Sequence, residues 1–198
     1  ASLFLVKTVF TAVLALICIF MPPYPFIPIQ MSLISTAVIG IPSFVLALEP
    51  NHERIRGNFL ANVLARSLPA YLAIVCALFA ELALGRLLDH SFAEISTVCM
   101  MITVVIGLAL IYRISRPLTL LRSTLLVAMS GLVLLSYTVF GEFFRVVRLA
   151  PDVAVFTVVL AALSITLFEW TSRIFLASYE QSALFARVVR FVEGKDGE

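Results

Sequence analysis

Six apolar stretches, at roughly 2–20, 31–48, 59–84, 92–112, 119–141 and 153–177, leave this chain little choice of fold. A helix needs about 20 residues to cross a hydrocarbon core of about 30 Å, and each run supplies about that many. All are too long for strands, and none shows the period-2 alternation of a membrane barrel. The expected fold is an all-α membrane protein, a six-span transmembrane helical bundle forming a single domain over residues 1–198 with no soluble insert. Composition agrees: 62% of residues are hydrophobic and 13% charged, against roughly 25% charged in a soluble domain. A net charge of +2, with no basic tract, gives no reason to expect nucleic acid as a partner. Membrane lipid is the expected surrounding. The chain opens Ala1-Ser2-Leu3 without the features of a signal peptide, and reads as a piece of something longer.

The connections give the orientation. Lys and Arg number nine on the side of the second loop, the fourth loop and the tail (54, 56, 66, 113, 116, 122, 187, 190 and 195), against three on the other side (86, 145 and 148). The positive-inside rule then places both termini in the cytoplasm. The tail at 182–192 alternates Arg187 and Arg190 with apolar residues, and either lies along the inner surface or continues the last span.

Ionisable residues inside spans mark functional candidates. Lys7 lies in the first span, about 20 Å below its outer end at 1.5 Å per residue; it either reaches inward to water or serves the site. Glu81 and Glu94 lie near outer span ends, where interfacial water is expected to solvate them. Glu169 and Arg173, spaced i,i+4, are expected to pair on one helix face, with Trp170 as an interfacial anchor. Cys18, Cys76 and Cys99 each stand alone in a different run, so packing is their expected role. Small residues, among them Gly107, Gly131 and Ser164, suit helix contacts in the later spans.

The second span carries the clearest irregularity. In Ser35-Thr36-Ala37-Val38-Ile39-Gly40-Ile41-Pro42-Ser43, Pro42 lacks an N–H and its ring crowds the carbonyl four residues back. The Val38 carbonyl is expected to lose its partner, and Gly40 to let the backbone unwind. Unwound carbonyls at membrane depth are a recurring way to bind cations, and Ser32, Ser35, Thr36 and Ser43 flank this one with hydroxyls. The candidate ion-pathway residues are therefore Lys7, Ser32, Ser35, Thr36, Val38, Gly40, Pro42 and Ser43. A simple kink, repaired by the neighbouring hydroxyls, is the competing reading.

Pro28-Ile29-Gln30, followed by Gly40-x-Pro42 and the exit Leu48-Glu49-Pro50-Asn51, resembles the fifth-to-sixth helix hairpin of P-type cation-transporting ATPases of the calcium-pump-like class. The opening Ala1-Ser2-Leu3-Phe4-Leu5-Val6-Lys7 and the Ile39-Gly40-Ile41-Pro42-Ser43 string are similar to a bacterial branch of that family. The resemblance implies that the six spans are transmembrane helices five to ten of a pump in a bacterial inner membrane. It also implies that ATP and Mg2+ act on cytoplasmic domains, and that the transported cation, Ca2+ or another divalent ion, passes among helices four, five, six and eight. The phosphorylated Asp-Lys-Thr-Gly-Thr motif is not in this sequence, so the chain is expected to be inactive alone and to hold no cofactor itself. Its partners would be the N-terminal membrane helices and cytoplasmic domains of the same pump.

The departures matter as much. Where animal calcium pumps carry an Asn, a Thr and an Asp on helix six, this chain has Ser35, Val38 and Ile39. Helix five has Lys7 and Phe10, and helix eight has Gly107, at positions of further ligands. A double site built from acidic oxygens is not expected here, because Ca2+ gains most from charged ligands. Lys7 is then a candidate countercharge in the emptied second site. The alternative is an independent six-span transporter or assembly subunit that shares only the hairpin motif. Secondary transporters usually show internal repeats, and none is evident between spans one to three and four to six.

Overall fold

The computed structural model describes the backbone at 24–48, 59–116 and 119–193, with positions 12 and 15 alone before them, and side chains at 24–48, 68–116 and 119–177. The first expected span, with Lys7, and most of the second loop lie outside the described residues. Every regular element described is helical: α1 (Pro28–Ile34), a π turn (Ser35–Gly40), α2 (Ile41–Leu48), α3 (Phe59–Leu87), α4 (Phe92–Ile114), α5 (Leu120–Thr138) and α6 (Pro151–Glu193). Five helical stretches are long and apolar enough to cross a membrane, at Pro28–Leu48, Leu68–Leu87, Phe92–Ile114, Leu120–Thr138 and Pro151–Ala177.

The helix starts follow local chemistry. Pro28 opens α1 at its first position, where a missing N–H costs nothing. Ser91 and Glu94 form a reciprocal cap on α4: the Glu94 N–H donates to Ser91 Oγ at 3.3 Å, and the Ser91 N–H donates to Glu94 Oε2 at 2.8 Å. Glu94 is thus held at the helix start, close to the interfacial role expected of it. Thr119 caps α5 through the N–H of Arg122. The last helix runs 43 residues without a break, so the tail continues the final span. At 1.5 Å per residue it is about 65 Å long, roughly twice the hydrocarbon thickness.

Helix α4 is the hub. It packs against α1, the π turn, α3, α5 and α6, and α3 and α6 also pack extensively on each other. Val98, Cys99, Ile102, Ile106 and Ile111 of α4 are buried, with Leu78 and Leu82 of α3 and Phe168 of α6. Hydroxyls inside this apolar body are satisfied along their own helices. Thr103, Ser136, Thr157 and Ser164 each donate to the carbonyl four residues back at 2.6–2.8 Å. Helix α5 lies at the margin, and Val127 and Leu134 point outward there, as do Val158 and Leu163 of α6. Hydrocarbon, rather than water, suits such faces. Cys99 is packed as expected, but Cys76 points outward on α3. Among the small residues, Ser164 is buried, while Gly131 has no atom of another described helix within 4 Å of where a Cβ would stand.

Candidate ion-pathway site

Pro42 sets the geometry of the hairpin helix. In a regular α-helix its ring would press on the carbonyl of residue 38. The backbone answers by widening one turn rather than by unwinding. Residues Ser35–Gly40 form a π turn, and the Ile41 N–H bonds to the Thr36 carbonyl five residues back. The extra residue carries the carbonyls past the incoming ring, after which α2 resumes at Ile41. The irregularity expected at Gly40 is therefore present, but as a local change of winding within a continuous helix from Pro28 to Leu48. Such π turns occur frequently at functional sites.

The turn distributes the candidate residues over two faces. Val38 and Pro42 are buried, Ser35 and Ser43 are half-buried, and Ser32, Thr36 and Gly40 are exposed. Ser32 Oγ donates to the Pro28 carbonyl at 3.4 Å. Ser32 and Thr36 border a cavity of about 400 Å³ whose far wall is Leu132, Ser136, Phe140 and Phe144. Ser43 lies beyond the π turn, and its Oγ is buried with no hydrogen-bond partner among the described residues. The hydroxyls thus do not converge on one point. Lys7 lies outside the described residues.

Val38 faces the hub helix. A Cβ built on Gly107 would collide with Cγ1 of Val38, and would stand 3.1 Å from Cγ2 and 3.3 Å from Cβ. Two positions picked out as departures from the calcium-pump pattern, one on each helix, are therefore direct neighbours. Here the contact is isopropyl against hydrogen. Among the described residues no group of three or more His, Cys, Asp or Glu is placed to hold a metal ion. The donors present at the hairpin are hydroxyls and carbonyls.

Polar residues that sequence reasoning passed over turn out to tie the hairpin down. Gln30 is fully buried. Its Oε1 accepts from Ser96 Oγ of α4 at 2.5 Å and from the Ile27 N–H at 3.4 Å, while its Nε2 donates to the Arg145 carbonyl at 3.3 Å. Arg145 has φ 50, in the left-handed region, within the connection from α5 to α6. Thr97 holds the same connection by accepting the Val147 N–H at 3.2 Å. One side chain thus joins the start of the hairpin helix to the hub and to a distant loop.

Two ionic expectations change. Glu169 bonds to Arg113 of α4 at 3.1 Å, not to Arg173. Arg113 is already held there, its guanidinium 5.8 Å from the centre of the Phe168 ring. Trp170 is exposed, as an interfacial anchor would be. Glu81, expected to be solvated, is completely buried, because the turn after α3 folds His90 back over it.

Comparison with known proteins adds the family. No family model matches the chain, and no solved structure matches it. Among curated proteins, the probable cation-transporting ATPase exp7 of Streptococcus pneumoniae is 35% identical over 136 residues, 64% of this chain and 18% of the relative. The calcium-transporting ATPase CtpE of Mycobacterium bovis is 38% identical over 90 residues, 40% of this chain and 11% of the relative, and CtpE of Mycobacterium tuberculosis matches equally. The chain spans less than a fifth of the length of the curated relatives it matches. Over part of its length this apolar helical chain is similar to cation-transporting ATPases, the family that its hairpin residues resemble.

Proposed function

We propose that the chain is the C-terminal membrane region of an ATP-driven P-type cation pump, a single transmembrane domain of six spans with both termini in the cytoplasm. The observation that carries the reading is the π turn before Pro42, an irregular stretch of helix lying within the hairpin that resembles the pump family. The kinship with cation-transporting ATPases, the calcium-transporting CtpE among them, supports it and makes Ca2+ or another divalent ion the first candidate cargo. ATP and Mg2+ would act on cytoplasmic domains outside this sequence, and the remaining membrane helices would complete the pathway in a bacterial cell membrane.

The Val38 and Gly107 contact supports a reading with one ion. At this contact the Val38 methyl groups take the space between hairpin and hub, where a second ion would require oxygens. We read the pathway as a single-ion one, to which this chain contributes Ser43, the other hairpin hydroxyls and carbonyls of the π turn, while the acidic ligands come from helix four. Lys7 is the candidate countercharge for the emptied second site. The test is ion-dependent ATPase activity of the full-length protein with Ca2+, Mg2+, Mn2+ and K+, together with the number of ions occluded per phosphorylated enzyme. One ion is expected. Lys7→Ala should change that number or its pH dependence; unaltered transport would confine Lys7 to snorkelling.

A further inference from the structure

Away from the hairpin, one ionisable pair is sealed inside the bundle. Glu81 of α3 is fully buried and the His90 side chain is 6% exposed. His90 Nδ1 stands 3.4 Å from Glu81 Oε1, and Glu81 Oε2 has no hydrogen-bond partner among the described residues. The chain is built to bring them together. Asp89 takes φ 57, in the left-handed region, and the turn closes with the His90 N–H donating to the Gly85 carbonyl at 2.8 Å. Gly85 leaves the necessary room, since a Cβ there would stand 2.9 Å from Glu81 Oε1 and 3.3 Å from His90 Nδ1. Phe156 of α6 covers the imidazole edge-on, with ring centres 5.5 Å apart.

Among the described residues of α4 and α6, the titratable groups within electrostatic reach of the pair are not cationic. From α4, Cys99 lies within electrostatic reach of Glu81, and Glu94 within reach of His90; Asp152 of α6 lies within reach of Glu94. Arg86 and Asp89, at the end of α3 and in the turn, are exposed. A carboxylate removed from water is costly unless it is paired. His90 pairs with it only by bringing a proton, so the two residues are neutral together when they share one.

We propose that Glu81 and His90 form a buried proton-binding site that latches the α3–α4 turn to the bundle. With one proton between them the latch is closed. A second proton, taken from solvent, leaves one on the carboxyl and one on the imidazole. The pair becomes cationic in an apolar enclosure, and His90 moves out to water. Only bonds to hydrogen change. The site shares no residue with the hairpin and stands whether or not the chain belongs to a pump.

Hydrogen–deuterium exchange over residues 85–92, in the whole chain in lipid nanodiscs and corrected for intrinsic rates, tests it. Between about pH 8 and 5, where imidazole changes charge, protection in the wild type should fall by about tenfold or more. His90→Gln should abolish that dependence while the turn stays protected, and Glu81→Gln should move release to less acid pH. Equal protection at every pH in the wild type, or a dependence that survives His90→Gln, overturns the latch. If His90→Gln does not fold, infrared spectra decide. A carboxylic acid band that grows with acid and is missing in Glu81→Gln supports the site, and no such band in the wild type overturns it.

Discussion

Val38 and Gly107 are in contact across the interface between the hairpin helix and the hub, and a methyl group on Gly107 would overlap Cγ1 of Val38. Gly107→Ala is therefore expected to destabilise the bundle by about 1–3 kcal/mol, the usual cost of overpacking. Val38→Ala in the same chain should recover most of that loss. Thermal unfolding of the single and double variants in detergent checks the coupling, and additive effects would mean that the two residues do not meet.

Gln30 holds three partners from a fully buried position. Gln30→Leu keeps the volume roughly constant but strands the Ser96 hydroxyl and the Arg145 carbonyl, at about 1–3 kcal/mol. Ser96→Ala, which removes one bond and leaves the others, should cost less. Chemical unfolding monitored by fluorescence of Trp170 ranks the two.

Arg113 and Glu169 form a partly exposed ion pair. A double-mutant cycle on Arg113→Ala and Glu169→Ala should give a coupling of about 0.2–1 kcal/mol that shrinks in high salt. The parallel cycle on Glu169 and Arg173 should give no coupling.

How much of this was legible beforehand varies with the range of the interaction. Four of the five described spans begin and end close to where the apolar runs do, because length and hydropathy are local properties. The last span ran on past its expected end, since nothing at 178–193 breaks a helix. Pro42 announced a conflict in the backbone but not its solution. A proline states which hydrogen bond is lost, but not how the preceding turn rearranges around it. Glu81 looked interfacial by its distance from the span end, yet a left-handed Asp89 folds His90 back over it. Gln30 likewise sits two residues after a proline near a span end, with no local sign that Ser96 and Arg145 await it. The i,i+4 spacing of Glu169 and Arg173 was a correct local pattern that lost to a partner on another helix.

The π turn carries the functional account, so its removal tests that account most directly. Pro42→Ala should let residues 35–42 relax to a regular α-helix and rotate everything beyond it by about 100°, one residue of a 3.6-residue turn. The decisive measurement is cation-stimulated ATPase activity of the full-length protein carrying this substitution, beside the wild type. The expected result is divalent-cation stimulation in the wild type and at least a tenfold loss of apparent cation affinity in the variant, about 1.4 kcal/mol. Absence of stimulation by any cation in the wild type, or an unchanged affinity in Pro42→Ala, would contradict it.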